Sequence, residues 1–64
     1  MKNEDIRLNK MLLQTATNNL TMAGSRLDQV QWGVGQLPLA QSIRGTQLAI
    51  QQTINVIVKI LEDL

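Results

Sequence analysis

The stretch Gln31-Trp32-Gly33-Val34-Gly35-Gln36-Leu37-Pro38 decides the fold, because it separates two long segments with helical periodicity. Its glycines can adopt the positive φ angles that end a helix and reverse the chain. Its proline is tolerated in the first turn of a following helix. On both sides of the stretch, apolar residues recur three and four positions apart. The pattern predicts one domain over residues 1–64, with helix 1 at about 4–31, a turn at about 32–37 and helix 2 at about 38–63.

Folding the chain at Gly35 brings the two periodic rows face to face. Each residue of the first row then meets the residue of the second row for which the two numbers sum to 70, as in the pair Leu13 and Ile57. This reciprocity predicts an all-α, antiparallel two-helix hairpin. The predicted hairpin seam comprises Leu13, Ala16, Leu20 and Leu27 on helix 1, and Ile43, Ile50, Ile54, Ile57 and Leu61 on helix 2. The same rows extend to Ile6, Asn9, Ala23 and Val30, and to Ala40, Gln47 and Leu64.

Four residues in the two segments leave local questions open. Asn9 and Gln47 are polar seam residues, which either fix the register of the helices or lie near solvent at the seam edge. Gly24 and Gly45 would lie at nearly the same level, which indicates either a close approach of the two backbones or a local weakness. Asn3 is expected to cap helix 1, with Glu4 and Asp5 in its first turn.

The composition excludes most catalytic and metal-binding chemistry. The sequence has no histidine, cysteine or tyrosine, so the commonest general base, the best nucleophile and tetrahedral sulfur–nitrogen metal sites are all missing. Four of the five carboxylates lie in the end turns of the predicted helices, where helix dipoles and solvent account for them. We therefore expect no enzyme activity, no cofactor and no metal.

Helix 2 carries more apolar surface than one neighbouring helix can cover. Beside the seam runs a second row that contains Ala49, Thr53, Val56 and Ile60 together with Thr46, while Leu48 and Val58 add apolar surface on a third side. A helix that is apolar nearly all round is normally buried. We expect association into a four-helix bundle, through a homodimer or a partner helix, with Ala49, Thr53, Val56, Val58, Ile60, Leu48 and Trp32 at the interface.

Trp32 is the only aromatic residue, and it stands in the turn. It either covers the end of the core beside Val30, Leu37 and Leu39 or anchors a partner, since tryptophan is enriched among binding hot spots. With Gly33 and Gly35 it makes the chain resemble small helical hairpins of type VII secretion, the Trp-x-Gly substrates and the helical partners of LXG toxins. The resemblance implies a helical bundle that leaves the cell without a cleaved signal peptide. Residue 34 is Val where that motif has glycine, and Ile60-Leu61-Glu62-Asp63-Leu64 lacks the aromatic residue of the C-terminal export signal.

Two other functions are open. The hairpin also resembles Rop-type RNA-binding dimers, with Arg7, Lys10 and Arg26 as a sparse basic strip, although a net charge of +1 makes nucleic acid an improbable partner. A structural or adaptor subunit of a larger assembly is the third interpretation. The amino-terminal residues lack a signal-peptide core, and polar residues interrupt every long apolar stretch. We therefore expect no membrane span and a cytoplasmic location, with export as a further possibility.

Overall fold

A computed structural model describes residues 2–31, 33 and 35–64. In this part of the chain, the structure consists of two α-helices, α1 (Asn3–Asp28) and α2 (Leu37–Asp63), which pack against each other. The predicted helical hairpin is confirmed. The molecule measures 54 × 15 × 11 Å. Because the two helices lie side by side, the hairpin is a single layer of helices.

Helix α1 begins at Asn3, the residue predicted to be its cap. Lys2 occupies the N-cap position in an extended conformation, and no side chain caps the helix there. The carbonyl oxygen of Lys2 accepts a hydrogen bond from the backbone N–H of Ile6 at 3.1 Å, so Asn3 is already helical and is not the cap. Glu4 and Asp5 lie in the first turn, where negative charge interacts favourably with the helix dipole.

The end of α1 differs from the expected glycine cap. The helix ends at Asp28, before the predicted boundary at about residue 31, and Gln29 keeps right-handed dihedral angles. The N–H groups of Gln29 and Val30 donate to the carbonyl oxygens of Arg26 and Leu27, so the last turn tightens to i→i+3 hydrogen bonds. The chain therefore leaves the helix without a left-handed residue at its C-terminus.

The turn uses its two glycines differently. Gly35 has φ +94°, a conformation that favours glycine over any residue with a Cβ. Gly33 instead forms hydrogen bonds with Gln36: its N–H donates to Gln36 Oε1 at 2.8 Å, and its carbonyl oxygen accepts from the Gln36 N–H at 3.2 Å. Gln36 then becomes the N-cap residue of α2, and Pro38 lies in the first turn of that helix.

Burial follows the predicted seam and is deepest beside the turn. Ala40 and Ile43 are buried, with 3% and 8% of their surfaces exposed. Val30 and Leu64, at the two ends of the rows, are exposed, and so are most residues off the seam. The half-buried residues of the described chain are Ile6, Asn9, Leu13, Ala16, Thr17, Leu20, Ala23, Gly24 and Leu27 on α1, and Gln47, Ile50, Ile54, Ile57 and Leu61 on α2.

Gln47 connects the two helices. Its Nε2 donates to the carbonyl oxygen of Gly24 at 3.3 Å and to Oδ1 of Asp28. These bonds place Gln47 within one residue of Ala23, its predicted partner in the seam. The side chain is half-buried rather than lying free at the edge.

The interior glycines do not mark a close approach of the backbones. A Cβ added at Gly24 or at Gly45 would meet no atom within 4 Å. Gly45 is also exposed. Of the two interpretations of these residues, local weakness of the helix is therefore the one that the geometry supports.

Candidate interaction surface

The hairpin has two different sides, and sequence position relative to the seam distinguishes them. A residue that directly follows a seam residue is rotated about 100° in one sense around its helix, and a residue that directly precedes one is rotated about 100° in the other. In an antiparallel pair, positions rotated in the same sense from the seam lie on the same side of the pair. All the following positions should thus share one side, and all the preceding positions the other.

An open groove of about 350 Å³ verifies this assignment. Thr21 follows Leu20 on α1, Gln51 follows Ile50 on α2, and both side chains line the groove. The following positions of the two helices therefore lie together. The groove is lined by Leu20, Thr21, Gly24, Asp28, Gln47, Ile50, Gln51 and Ile54.

The side with the groove is mostly polar, and we call it the polar face. Gln51 Nε2 donates to Asn55 Oδ1 at 3.1 Å along this face. Acidic and basic residues are mixed on it, so it carries no continuous basic strip. The polar face consists of Arg7, Lys10, Gln14, Thr21 and Asp28 from α1, and Arg44, Leu48, Gln51, Asn55, Val58 and Glu62 from α2.

The opposite side, the apolar face, combines residues from both helices. On α1, Leu8, Leu12 and Met22 directly precede seam residues, and each leaves half or more of its side chain exposed. On α2, Val56 and Ile60 occupy the equivalent positions and are also exposed. The central part of the apolar face consists of Leu8, Leu12, Thr15, Asn19 and Met22 from α1, and Thr46, Ala49, Thr53, Val56 and Ile60 from α2, with the charged residues Asp5 and Arg26 at the two ends of its α1 row.

The structure divides the interface residues that the sequence predicts. Ala49, Thr53, Val56 and Ile60 are exposed and lie together on the apolar face. Leu48 and Val58 are exposed as well, but they follow Gln47 and Ile57 and lie on the polar face. The predicted interface therefore falls on two opposite sides of the hairpin. Trp32 lies outside the described residues.

The interface predicted from the sequence contains no residue of α1. Leu8, Leu12 and Met22 face the same side as Val56 and Ile60, and they extend the apolar surface onto α1. Reading the position before each seam residue on both helices would have found them. The sequence prediction instead compared the apolar surface of each helix separately.

The threonines of α2 reduce the polarity of the apolar face. Thr53 Oγ1 donates to the carbonyl oxygen of Ala49 at 2.9 Å, and Thr46 Oγ1 donates to that of Ser42 at 2.9 Å. Each hydroxyl thus has a partner within its own helix, and the methyl group remains for packing. Covering these side chains with another apolar surface would leave neither hydroxyl donor unsatisfied.

The described residues provide no constellation suited to a metal. No group of three or more acidic side chains lies close enough among residues 2–31, 33 and 35–64 to hold a metal ion, and the sequence has neither histidine nor cysteine. Neither α1 nor α2 contains an apolar segment long enough to cross a bilayer.

Comparisons with known proteins give no family for the chain. No family model matches it, and no curated protein or solved structure is significantly similar to it.

Proposed function

We propose that the chain is a non-enzymatic protein–protein interaction module whose apolar face is covered by a second layer of helices. A second copy of the hairpin is the partner that we favour, and the product would be a four-helix bundle. The observation that carries the proposal is that large apolar side chains from both helices are exposed on one side of the hairpin: Leu8, Leu12 and Met22 from α1, and Val56 and Ile60 from α2.

The thickness of the molecule supports this proposal. Stable domains are built from at least two packed layers of secondary structure around a common core. The hairpin is one layer, 11 Å thick, and Ala40 and Ile43 are its buried apolar residues in the described part of the chain. A second layer on the apolar face would enclose the seam and the exposed leucines together.

The accessible surface area supports it quantitatively. A compact monomer of 7.1 kDa is expected to expose about 4,100 Å² by the scaling of surface with mass. The hairpin exposes 5236 Å², roughly 1,100 Å² more than that expectation. A stable interface removes about 800 Å² from each partner. One copy of the hairpin therefore has enough excess surface for such an interface.

Two valines of α2 provide a matched test. Val56 lies on the apolar face and is 59% exposed, whereas Val58 lies on the polar face and is 42% exposed. Sedimentation equilibrium of the native chain should give about twice the mass of 7.1 kDa. Val56→Asp should raise the dissociation constant at least about 100-fold, because dimerisation would then bury a carboxylate against apolar side chains.

Val58→Asp is the control, since it places the same charge two residues away on the same helix. It should leave the dissociation constant within about threefold of the native value. A folded, stable monomer at high concentration, or equal weakening by both substitutions, would contradict the proposal.

RNA binding is not favoured by the charge distribution. On the polar face, Asp28 accompanies Arg44 at one end of the hairpin, and Glu62 accompanies Lys10 at the other. Affinity for nucleic acid comes mainly from phosphates neutralised by lysine and arginine, and neighbouring carboxylates oppose that contribution. A salt-dependent shift of RNA mobility on addition of the protein would overturn this argument.

The sequence Trp32-Gly33 favours one cellular setting for the module, an association with type VII secretion. In this setting, the bundle would be exported or would accompany a helical toxin partner. Co-expression with secretion components and recovery of the chain from the culture medium would test it. Trp32→Ala should reduce recovery if the tryptophan contacts a partner.

A further inference from the structure

The order of side chains along the apolar face points to the geometry of the dimer, an inference that rests on the proposed function. We infer that two hairpins pack with their turns at opposite ends, so that α1 lies on α1 and α2 lies on α2 of the second copy. In this geometry, Asp5 of each copy meets Arg26 of the other.

Charge complementarity along α1 supports the antiparallel pairing of the two α1 helices. Asp5 and Arg26 both directly precede seam residues, Ile6 and Leu27, and therefore stand at the two ends of the α1 row on the apolar face. Both are exposed in the hairpin. They are separated by about 30 Å of helix, so they cannot pair within one copy. An antiparallel pairing of α1 with α1 brings each carboxylate opposite a guanidinium of the second copy.

This pairing places the two-fold axis beside Thr15, and the α1 residues then match in size. Leu8 would face Met22 of the second copy, Leu12 would face Asn19, and Thr15 would face its own equivalent at the axis. An isologous dimer requires this kind of self-complementary row. The small residue at the axis allows the two α1 helices to approach closely.

The residues of α2 provide an independent check, because the hairpin register fixes their position once the axis is placed. The hydrogen bond from Gln47 to Gly24 sets this register. The same axis then places Ala49 opposite Ile60 of the second copy, and Thr53 opposite Val56. Ala49 would then face a larger side chain, and Thr53 would face one of nearly equal size, so that the two layers can interdigitate.

The alternative geometry, with both turns at the same end, fits these residues less well. In it, α1 would lie on α2 of the second copy at the same level of the hairpin. Leu8 and Leu12 would then face the large residues Ile60 and Val56 at one end, and Met22 would lie among small residues at the other. Asp5 and Arg26 would remain at opposite ends of the bundle without partners.

Cysteine cross-linking tests the geometry, since the native sequence contains no cysteine. Thr15→Cys should form a disulfide-linked dimer under mild oxidation, because residue 15 lies at the proposed axis. Gln14→Cys is the control: residue 14 is its exposed neighbour on the polar face, and it should cross-link at least about tenfold more slowly.

A mixture of Thr15→Cys and Thr53→Cys chains separates the two geometries. With both turns at the same end, these two residues would face each other, and the mixed disulfide would exceed the Thr15–Thr15 product. That outcome, with a dimer still present by sedimentation, would overturn the inference while leaving the proposed function intact. Absence of any dimer would overturn both.

Charge exchange provides a second test without cross-linking. Asp5→Arg and Arg26→Asp should each weaken self-association about tenfold, because every dimer contains two copies of the pair and gains a repulsion at each. Combining the two substitutions in one chain should restore the native dissociation constant to within about threefold. Two weakened variants whose effects simply add would contradict the pairing of Asp5 with Arg26.

Discussion

Gln47 Nε2 donates a hydrogen bond to the carbonyl oxygen of Gly24, 3.3 Å away on the opposite helix. A carbonyl within a helix normally accepts from the fourth residue along, so this oxygen accepts the amide of Gln47 with its second lone pair. A polar residue thus replaces apolar packing at one level of the seam. The bond connects the two helices at a defined register.

Removing the Gln47 side chain should destabilise the hairpin modestly. Gln47→Ala should lower the free energy of unfolding by about 1 kcal/mol, since each hydrogen bond contributes about that much net and water can reach the groove. Urea denaturation followed by circular dichroism measures the change. Gln51→Ala, which removes a bond within α2 only, should change stability by less than about 0.5 kcal/mol.

Gly45→Ala should stabilise the protein. The new Cβ would meet no atom within 4 Å, and alanine is favoured over glycine in a helix interior by up to about 1 kcal/mol. Thermal unfolding should therefore shift to higher temperature. Gly35→Ala is the opposite case, because φ is +94° there and a Cβ would be strained, so it should destabilise by about 1 kcal/mol or more. Destabilisation by Gly45→Ala would indicate a contact that the hairpin alone does not make.

Truncation of Ile43 should have the largest effect on stability among the seam residues. Ile43 is 8% exposed beside the turn. Deleting a buried isoleucine to alanine typically costs about 2–5 kcal/mol, which is comparable to the whole stability of a domain this small. We expect loss of the cooperative transition in circular dichroism. Truncating an exposed apolar residue, Leu37→Ala, should leave that transition in place.

Two leucines test which side of the hairpin associates. Leu8 lies on the apolar face and is 54% exposed, whereas Leu48 lies on the polar face and is 61% exposed. Leu8→Asp should weaken self-association. The melting temperature should fall as a result, because a second subunit that binds the folded chain stabilises it by mass action. Leu48→Asp should leave the melting temperature and its concentration dependence unchanged. If Leu48→Asp had the stronger effect, the interface would lie on the polar face instead.

Periodicity predicted the hairpin because the seam depends only on helix geometry and burial. The rows through Leu13 and Ile57 could be read directly from their spacing of three and four residues. The helix ends were less predictable. Lys2 rather than Asn3 is the cap of α1, because the first helical hydrogen bond is accepted by the backbone carbonyl of Lys2. Every residue has such a carbonyl, so the sequence carries no signal for this position. The end of α1 at Asp28 likewise depends on backbone geometry, with no side-chain signal.

The sequence prediction found only half of the apolar face, because it ranked the faces of each helix separately. The row Ala49, Thr53, Val56 and Ile60 was visible on helix 2. The alignment of this row with Leu8 and Leu12 depends on how the two helices are turned toward each other. The position of Thr21 and Gln51 in one groove supplies that information.

Among the described residues of the hairpin, only Ala40 and Ile43 are buried from water. Under the proposed function, a chain therefore completes its core only when it meets another, and folding becomes a second-order process in chain concentration. The amount of ordered protein would then rise with the square of the amount synthesised at low expression. Gene dosage, rather than a bound effector, would set whether this protein is present in its folded form.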